Sequence, residues 1–408
     1  MLTGLTSRSG RNRDRRNIMT SSVERARVIA SGVAARYAGS VDTEGRFPDE
    51  AFAALKDARL LSLFVPKPLG GEGASVSEIA SICHLLGQNC GSTGLIYAMH
   101  QIQTACIVLH GQDIAWQRDW LRRLTVEQLL LASATTEAAT GGDLGRSDCA
   151  ILKDGDRFAV EKQGAVISYG EQADGILVTA RRTADAPASD QILAIIPRQQ
   201  FSLETTARWD AMGMRGTCSN TYVFRGEGHV DQILPCPYGD IQSNTMAPFS
   251  HLTWASVWLG IATDAVSRAR RYLRSKAGGM TGYSPGLGRL VNATAMLQQL
   301  KSTIVSALRS YEAVLASSDH TVTLGLLVTI NNVKISVATG VIQIIQEAMM
   351  ICGIAGYRND SEFSVARHLR DAHSAALMVG NDRIAAGMGK MLLMQRVDTD
   401  LLAPGDSR

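Results

Sequence analysis

The stretch "SATTEAATGGDLG", Ser133 to Gly145, sets a Thr-Glu pair ahead of two glycines and an aspartate. Such a run can be a phosphate loop, a tight turn, or a ledge that admits a cofactor. It lacks the Lys-Ser/Thr ending of a nucleotide P-loop and the Gly-x-Gly-x-x-Gly spacing of a dinucleotide turn. Taken alone, it reads as a strand end running into a glycine turn. The segments on either side decide its use.

Upstream, residues 20–127 carry helical periodicity and form an N-terminal α-helical domain. Pro48 sits where a first helical turn tolerates it, and Ala51, Leu55 and Ala58 follow at i, i+4 and i+7. Ser75 and Glu78 make a capping box, and "STGLIYAMHQIQTACIVLHG" is apolar nearly all round, as a buried helix requires. The rhythm then changes. "RFAVEK" alternates, Asp154-Gly155 signals a hairpin, and "GILVTARR", "QILAIIPR" and "NTYVFRG" read as strands. Residues 128–238 are therefore a small β-barrel or sandwich. Over 239–400 long helical patterns return, at 251–277, 287–317, 321–353 and 364–394, which predicts an antiparallel four-helix bundle. The fold class is α+β and multidomain, with the β domain between two helical ones.

Composition excludes several functions. A net charge of +3 on 408 residues, with no basic face beyond the first twenty, argues against nucleic acid. Seven scattered cysteines without Cys-x-x-Cys suit a reduced, cytoplasmic setting, and no His-x-x-His spacing suggests a metal. No uncharged apolar run reaches about 18 residues, so no membrane span is expected. The Arg-rich residues 1–19 read as a disordered extension with the true start at Met19.

The order of segments and their motifs resembles the acyl-CoA dehydrogenase superfamily over roughly residues 40–395. The motifs are "FPDEAFAALKDARLLSLFVPKPLGGEG", the quoted Thr-Glu-x-x-x-Gly run, "WDAMGMRGTCSNTYVF", "CGIAGYRND" and "HLRDA". The resemblance implies that the quoted stretch lies along FAD, with Thr136, Gly141 and Gly142 bringing small residues and backbone against it. Ser168 in "AVISYG" stands where the family donates a hydrogen bond to flavin N5; otherwise it is a strand-end serine. Lys276 falls where the family reaches the flavin pyrophosphate of a neighbouring subunit, and Met350 and Gly353 fall at further flavin-binding positions of the family. A homodimer or homotetramer is thus implied.

The departures carry the most information. The family's base, a glutamate nine residues after the Arg of Arg-Asp-Ala, is Val379 here, followed by the matching Gly380. Asp382, three residues on, would face about 60° away on a continuous helix. Relatives that take the glutamate from the first bundle helix have its counterpart near Ser250 and His251, and no carboxylate lies between Asp240 and Asp264. A neutral imidazole at His251 is the candidate replacement. His100 and His373 are weighed as core or surface histidines, and Arg215 in "MGMRGT" as an anion-binder. The flavin contacts are thinned: Val166 replaces an aromatic, Lys276 an arginine, Met350 a glutamine and Ile354 a glycine.

Three functions remain open. The first is an FAD-dependent oxidoreductase acting on an acyl thioester of CoA or a carrier protein, passing hydride to flavin N5 and electrons to an acceptor. The second is a flavin-dependent monooxygenase of the same fold, which needs no α-proton base, takes reduced FAD or FMN from a flavin reductase, and fits the missing glutamate. The third is a non-redox or binding protein.

Overall fold

In the computed structural model of the protein, the described residues are 21–141, 143–276 and 285–394. The extension expected over 1–19 and the expected flavin residue Gly142 lie outside them. Helix α1 (Ser22–Ile29) is capped by the Ser21 hydroxyl, passes through a π turn at Ala30–Ala34 and continues as α2 (Ala35–Glu44). Pro48 precedes α3 (Asp49–Asp57). The capping box forms as the residues require: Glu78 N donates to Ser75 Oγ and Ser75 N to Glu78 Oε2, opening α4 (Val76–Asn89). The apolar helix α5 (Gly91–His110) is buried over nearly its whole length, and α6 (Ala115–Glu127) closes the domain.

His100, midway along α5, joins this domain to the next. Its Nδ1 accepts from Leu131 N at 3.0 Å, so Nε2 carries the proton and donates to the Leu61 carbonyl at 2.7 Å. Burial drops its pKa to about 4, which keeps the ring neutral in this role. The histidine is a satisfied core residue.

The middle domain is two small sheets packed together. Strands β1 (Leu131–Ala134), β4 (Gly175–Arg181) and β5 (Gln191–Pro197) make one, with β1 parallel to β4. Strands β2 (Leu152–Asp154), β3 (Arg157–Ile167), β7 (Asn220–His229) and β6 (Phe201–Ala207) make the other, wholly antiparallel. The Asp154-Gly155 turn joins β2 to β3, with Gly155 at φ 61°. Strand β6 was not among the strands read from the sequence, because only Phe201 on it is buried and alternation is therefore faint.

The alternation of β3 places Phe158, Val160 and Lys162 on the inward face. Lys162 is wholly buried, and its ammonium is held by Glu137 Oε1 at 2.7 Å, by the Thr179 carbonyl at 2.6 Å and by Thr179 Oγ1 at 3.0 Å. Glu137 in turn accepts from the Ser147 hydroxyl and from the amides of Asp148 (2.8 Å) and Cys149 (3.2 Å). The acid of the Thr-Glu pair is thus an anchor: it clamps both ends of the 138–147 loop to β3.

The C-terminal domain begins with α7 (Tyr238–Ile241) and a π turn (Gln242–Met246), which lead into α8 (Ala247–Lys276). Helices α9 (Pro285–Ala316) and α10 (Leu324–Cys352) follow, and α8 packs along both. By length and composition α10 could cross a bilayer, but half of its apolar stretch is buried inside the bundle. After α11 (Ile354–Tyr357) the expected single helix over 364–394 is instead three pieces, α12 (Ala366–Ala372), α13 (Ser374–Leu377) and α14 (Asn381–Leu392). The chain breaks where Met378 is extended and Val379 turns left-handed at φ 47°. Helical geometry therefore does not relate Asp382 to Val379; Asp382 lies in the first turn of α14, where a negative charge favours the helix.

Removing one partner of a buried pair strands the other charge, so Glu137→Gln is expected to lower stability by about 3–5 kcal/mol in urea unfolding. The loss should depend on pH. Burial alone raises the Glu137 carboxyl, but the Lys162 charge and the hydrogen bonds from Lys162, Ser147 and Asp148 outweigh it and hold the group below its ordinary value. Such a carboxylate contributes stability above its unfolded-state value and loses it as the pH falls through its folded one. The gap between wild type and Glu137→Gln should narrow on acidification; a gap constant with pH would mean that Glu137 is not ionised in the fold.

Candidate functional site

The loop pinned by Glu137 forms a shelf. Thr136 is half-buried and its hydroxyl donates to the Val166 carbonyl at 3.2 Å, tying the shelf to the end of β3. Gly141 adopts φ 58° with open space where a side chain would stand, so a ligand can approach its backbone. Val166 is 41% exposed, which leaves apolar surface beside the shelf. Just beyond it lies Ser168, whose hydroxyl begins a chain: Ser168 Oγ to Ser219 Oγ at 2.8 Å, Ser219 Oγ to Thr217 Oγ1 at 2.7 Å, and Thr217 Oγ1 donating to the Met214 carbonyl at 2.9 Å. If Thr217 turns its proton from the Met214 carbonyl to Ser219, the chain reverses, Ser219 donates to Ser168, and Ser168 can offer its proton outward. An apolar ledge, a glycine turn and an edge hydroxyl fit an isoalloxazine ring.

The Gly-x-Arg-Gly and Arg-Asp-Ala motifs prove to be partners. Asp371 Oδ1 accepts from Met214 N at 2.6 Å, and a side chain on Gly213 would lie 2.2 Å from the Arg370 carbonyl oxygen. Arg370 pairs with Asp42 and donates to the Met212 carbonyl at 2.8 Å. Arg215, weighed as an anion-binder, is engaged at this same junction by the Asp42 carbonyl (2.8 Å), the Ala211 carbonyl (3.0 Å) and Asp210 (3.1 Å). These contacts make it a tie between the β domain and α2. Asp371 is deeply buried, which pushes its pKa up to about 6 against the pull of Met214 N and Arg367.

Val379, to which the sequence resemblance assigns the family's base position, sits in the break before α14. Its carbonyl accepts from Lys334 Nζ at 2.9 Å, and the same amine donates to Asn381 Oδ1 at 2.6 Å. Lys334, on α10, is wholly buried, lies 6.0 Å from the Trp258 ring centroid, and has its pKa lowered to about 8 by burial. The sequence reading missed it, because one lysine in an apolar helical run looks like a surface residue until the partner helices are placed. Arg383, two residues past Asn381, donates to the Gly141 carbonyl at 2.6 Å, so the break adjoins the shelf. Gly380 caps α14.

His251 and Ser250 lie on α8, both buried. The Ser250 hydroxyl is taken up by the Ala247 carbonyl at 2.9 Å. Burial, with the Lys334 charge nearby, pushes the His251 pKa down to about 3, against a hydrogen bond to Asn331. The ring is neutral, as expected, but too weakly basic to be an effective proton acceptor at neutral pH. Lys276, Met350 and Gly353 stand at the C-terminal ends of α8 and α10. Lys276 and Met350 are exposed there, and Gly353 takes the positive φ (56°) that ends α10. Among the described residues, no cluster of three or more His, Cys, Asp and Glu is arranged to hold a metal.

The backbone at Val379 supplies a test. A β-branched residue at φ 47° is strained, and alanine there keeps part of that strain while glycine does not. Val379→Gly should therefore exceed Val379→Ala in stability by about 1 kcal/mol, the reverse of their order within a helix. Thermal unfolding of the two variants decides it, and the helical order would refute the left-handed turn.

Comparison with known proteins agrees with this architecture. The description "Acyl-CoA dehydrogenase, N-terminal domain" matches residues 21–128, and "Acyl-CoA dehydrogenase, C-terminal domain" matches residues 244–392. A cyclohex-1-ene-1-carbonyl-CoA dehydrogenase of Syntrophus aciditrophicus is 24% identical over 374 residues, 89% of this chain and 86% of the relative. FMN-bound TdsC of Paenibacillus sp. A11-2, a dibenzothiophene monooxygenase, superposes with a TM-score of 0.81 at 22% identity, over 93% of this chain and 98% of its own. Butyryl-CoA dehydrogenase of Megasphaera elsdenii does so with a TM-score of 0.78 at 18% identity, over 96% and 100%. With both helical domains matched and the β domain between them in place, the chain belongs to the acyl-CoA dehydrogenase superfamily of flavin-dependent oxidoreductases.

Proposed function

We propose that this protein is a flavin-dependent monooxygenase and not an acyl-thioester dehydrogenase. The observation that carries the reading is the surroundings of Val379. A valine and not a carboxylate stands where the resemblance places the base, and the charged group held against its backbone is the Lys334 ammonium, on the Val379 carbonyl and Asn381 Oδ1. Dehydrogenation of a thioester requires an α-proton to leave before or with the hydride, and positioned base catalysis is typically worth about 10²–10⁴-fold. A buried cation and a weakly basic imidazole offer no such base. Insertion of one oxygen atom into a substrate asks for none.

Bound flavin, reduced by a separate reductase, would supply the two electrons that send the second oxygen atom to water. The chain's own part is to hold the ring on the 136–141 shelf, to meet its edge with Ser168, and to keep water from the buried face between α8 and α10. FMN is preferred to FAD in this reading, because by the resemblance Lys276 and Met350 replace the arginine and the glutamine that contact the longer cofactor. The exposed Met350, Ile354 and Tyr357 at the end of α10 and in α11 support a homodimer or homotetramer that covers them.

Two measurements test this reading. With a flavin reductase and NADH, small aromatic probes such as indole or dibenzothiophene should stimulate oxygen consumption beyond the reductase background. Straight-chain acyl-CoAs with an artificial electron acceptor should be oxidised slowly or not at all. Robust acyl-CoA oxidation by the wild type would overturn the proposal. Light scattering at micromolar concentration should return at least twice the chain's 43.8 kDa, and a monomeric mass would remove the assembly.

A further inference from the structure

Helix α8, which packs on α10, carries His251, Trp254 and Trp258 at i, i+3 and i+7; from α10, Asn331 and Lys334 act on His251, and Lys334 lies 6.0 Å from the Trp258 ring centroid. His251 is 4% exposed and Trp254 9%, yet neither His251 Nδ1 nor Trp254 Nε1 has a hydrogen-bond partner. Trp258, one turn on, does have one: its Nε1 donates to Ser374 Oγ at 3.2 Å. Buried polar groups are nearly always satisfied, and each one left bare costs free energy. Two bare ring nitrogens on adjacent turns of one helix are a cost that a water or a ligand group supplying the partner would remove.

The chemistry of the missing partner is constrained. Trp Nε1 can only donate. Histidine Nδ1 can donate as well, if the Asn331 amide turns its nitrogen to Nε2. The His251 and Trp254 rings lie 6.3 Å apart between centroids, close enough to address one small polar group. Lys334 stands behind them with no acidic neighbour, its ammonium held only by the Val379 carbonyl and Asn381 among the described residues. Its positive charge favours an electron-rich atom in front of it and disfavours a cation.

We infer that His251 Nδ1 and Trp254 Nε1, backed by Lys334, form a recognition subsite for an acceptor oxygen of the substrate. The oxygen is either an ionised aromatic hydroxyl or a thioester carbonyl. The first source rests on the monooxygenase reading above; the second does not need it. Lys334 joins the subsite to the Val379 carbonyl, and Arg383 joins the same break to Gly141 on the shelf, so an oxygen held there orients the substrate relative to the proposed flavin ledge. These side chains bind and orient; no proton or electron moves through them.

Binding to the purified full-length protein tests the subsite without turnover. The probes are 4-nitrophenol, its ether 4-nitroanisole, and butyryl-CoA, with affinities from equilibrium dialysis and from the visible band of the nitrophenolate. The wild type is expected to bind 4-nitrophenol at least tenfold more tightly than the ether, as its coloured anion, or else to bind butyryl-CoA. Trp254→Phe keeps the ring and deletes the donor. It should weaken a charged acceptor by about tenfold or more and a neutral carbonyl by about fivefold, which separates the two sources. Trp116→Phe, on α6, should change nothing. If Trp254→Phe does not fold, as judged by circular dichroism, His251→Leu replaces it with the same expectation. Failure of oxygen-dependent turnover alongside a thioester-specific loss in Trp254→Phe would overturn the monooxygenase reading and leave the subsite standing. Equal affinities in wild type and variants, or no binding of any probe, would overturn the subsite.

Discussion

The ion pair between Glu137 and Lys162 is the constraint on which the site depends. A lysine at an inward position of β3 cannot be left alone in a core, and the nearest acid is the glutamate of the Thr-Glu pair. To reach it, the chain after β1 must stay close to β3, and the amides of Asp148 and Cys149 must come back to the same carboxylate. The residues between have one course open to them, a short loop over the sheet end. That loop is the shelf. Its glycine turn and its contacts to Val166 follow from where the buried charge holds its ends.

A second set of interactions fixes the shelf against the rest of the molecule. Asp371 on the Met214 amide, Arg370 on Asp42 and the Met212 carbonyl, and Arg215 on the Asp42 carbonyl join the bundle, the β domain and α2 at one point. The 212–219 loop held there also carries Thr217 and Ser219, the hydroxyls that orient Ser168. His100 does similar work on the other side, between Leu61 and Leu131. Several groups with a catalytic look, a buried acid and a buried histidine among them, are therefore parts of the assembly. The proposed chemistry is assigned to the region around Val379, Lys334 and the α8 face.

Lys334 organises that region. A primary amine with no acid nearby takes what acceptors the backbone offers, and the Val379 carbonyl is free to serve because the helix breaks there. The break and the buried lysine thus stabilise one another. The turn also brings Asn381 to the amine and sets Arg383 where it can hold Gly141. The position to which the resemblance assigns the base is thus a strained valine whose carbonyl is tied to a buried ammonium.

Much of this was legible in the sequence. Periodicities of 3.6 and 2 marked the helices and most strands, the Ser75–Glu78 box and the Asp154-Gly155 turn formed as local chemistry dictates, and motif order identified the superfamily. That residue 379, nine after Arg370, is a valine is read directly from the sequence. What the sequence by itself determined is whatever neighbours along the chain can enforce. Only the tertiary structure decided the rest. Strand β6 is nearly all exposed and shows little pattern, and the split of the last helix at Val379 needs an acceptor for Lys334, forty-five residues away. The role of Arg215 as a tie, the partnership of the two Arg-bearing motifs, and the bare nitrogens of His251 and Trp254 all depend on which faces meet across domains. Burial and hydrogen-bond satisfaction are properties of that meeting, and no local stretch of sequence contains them.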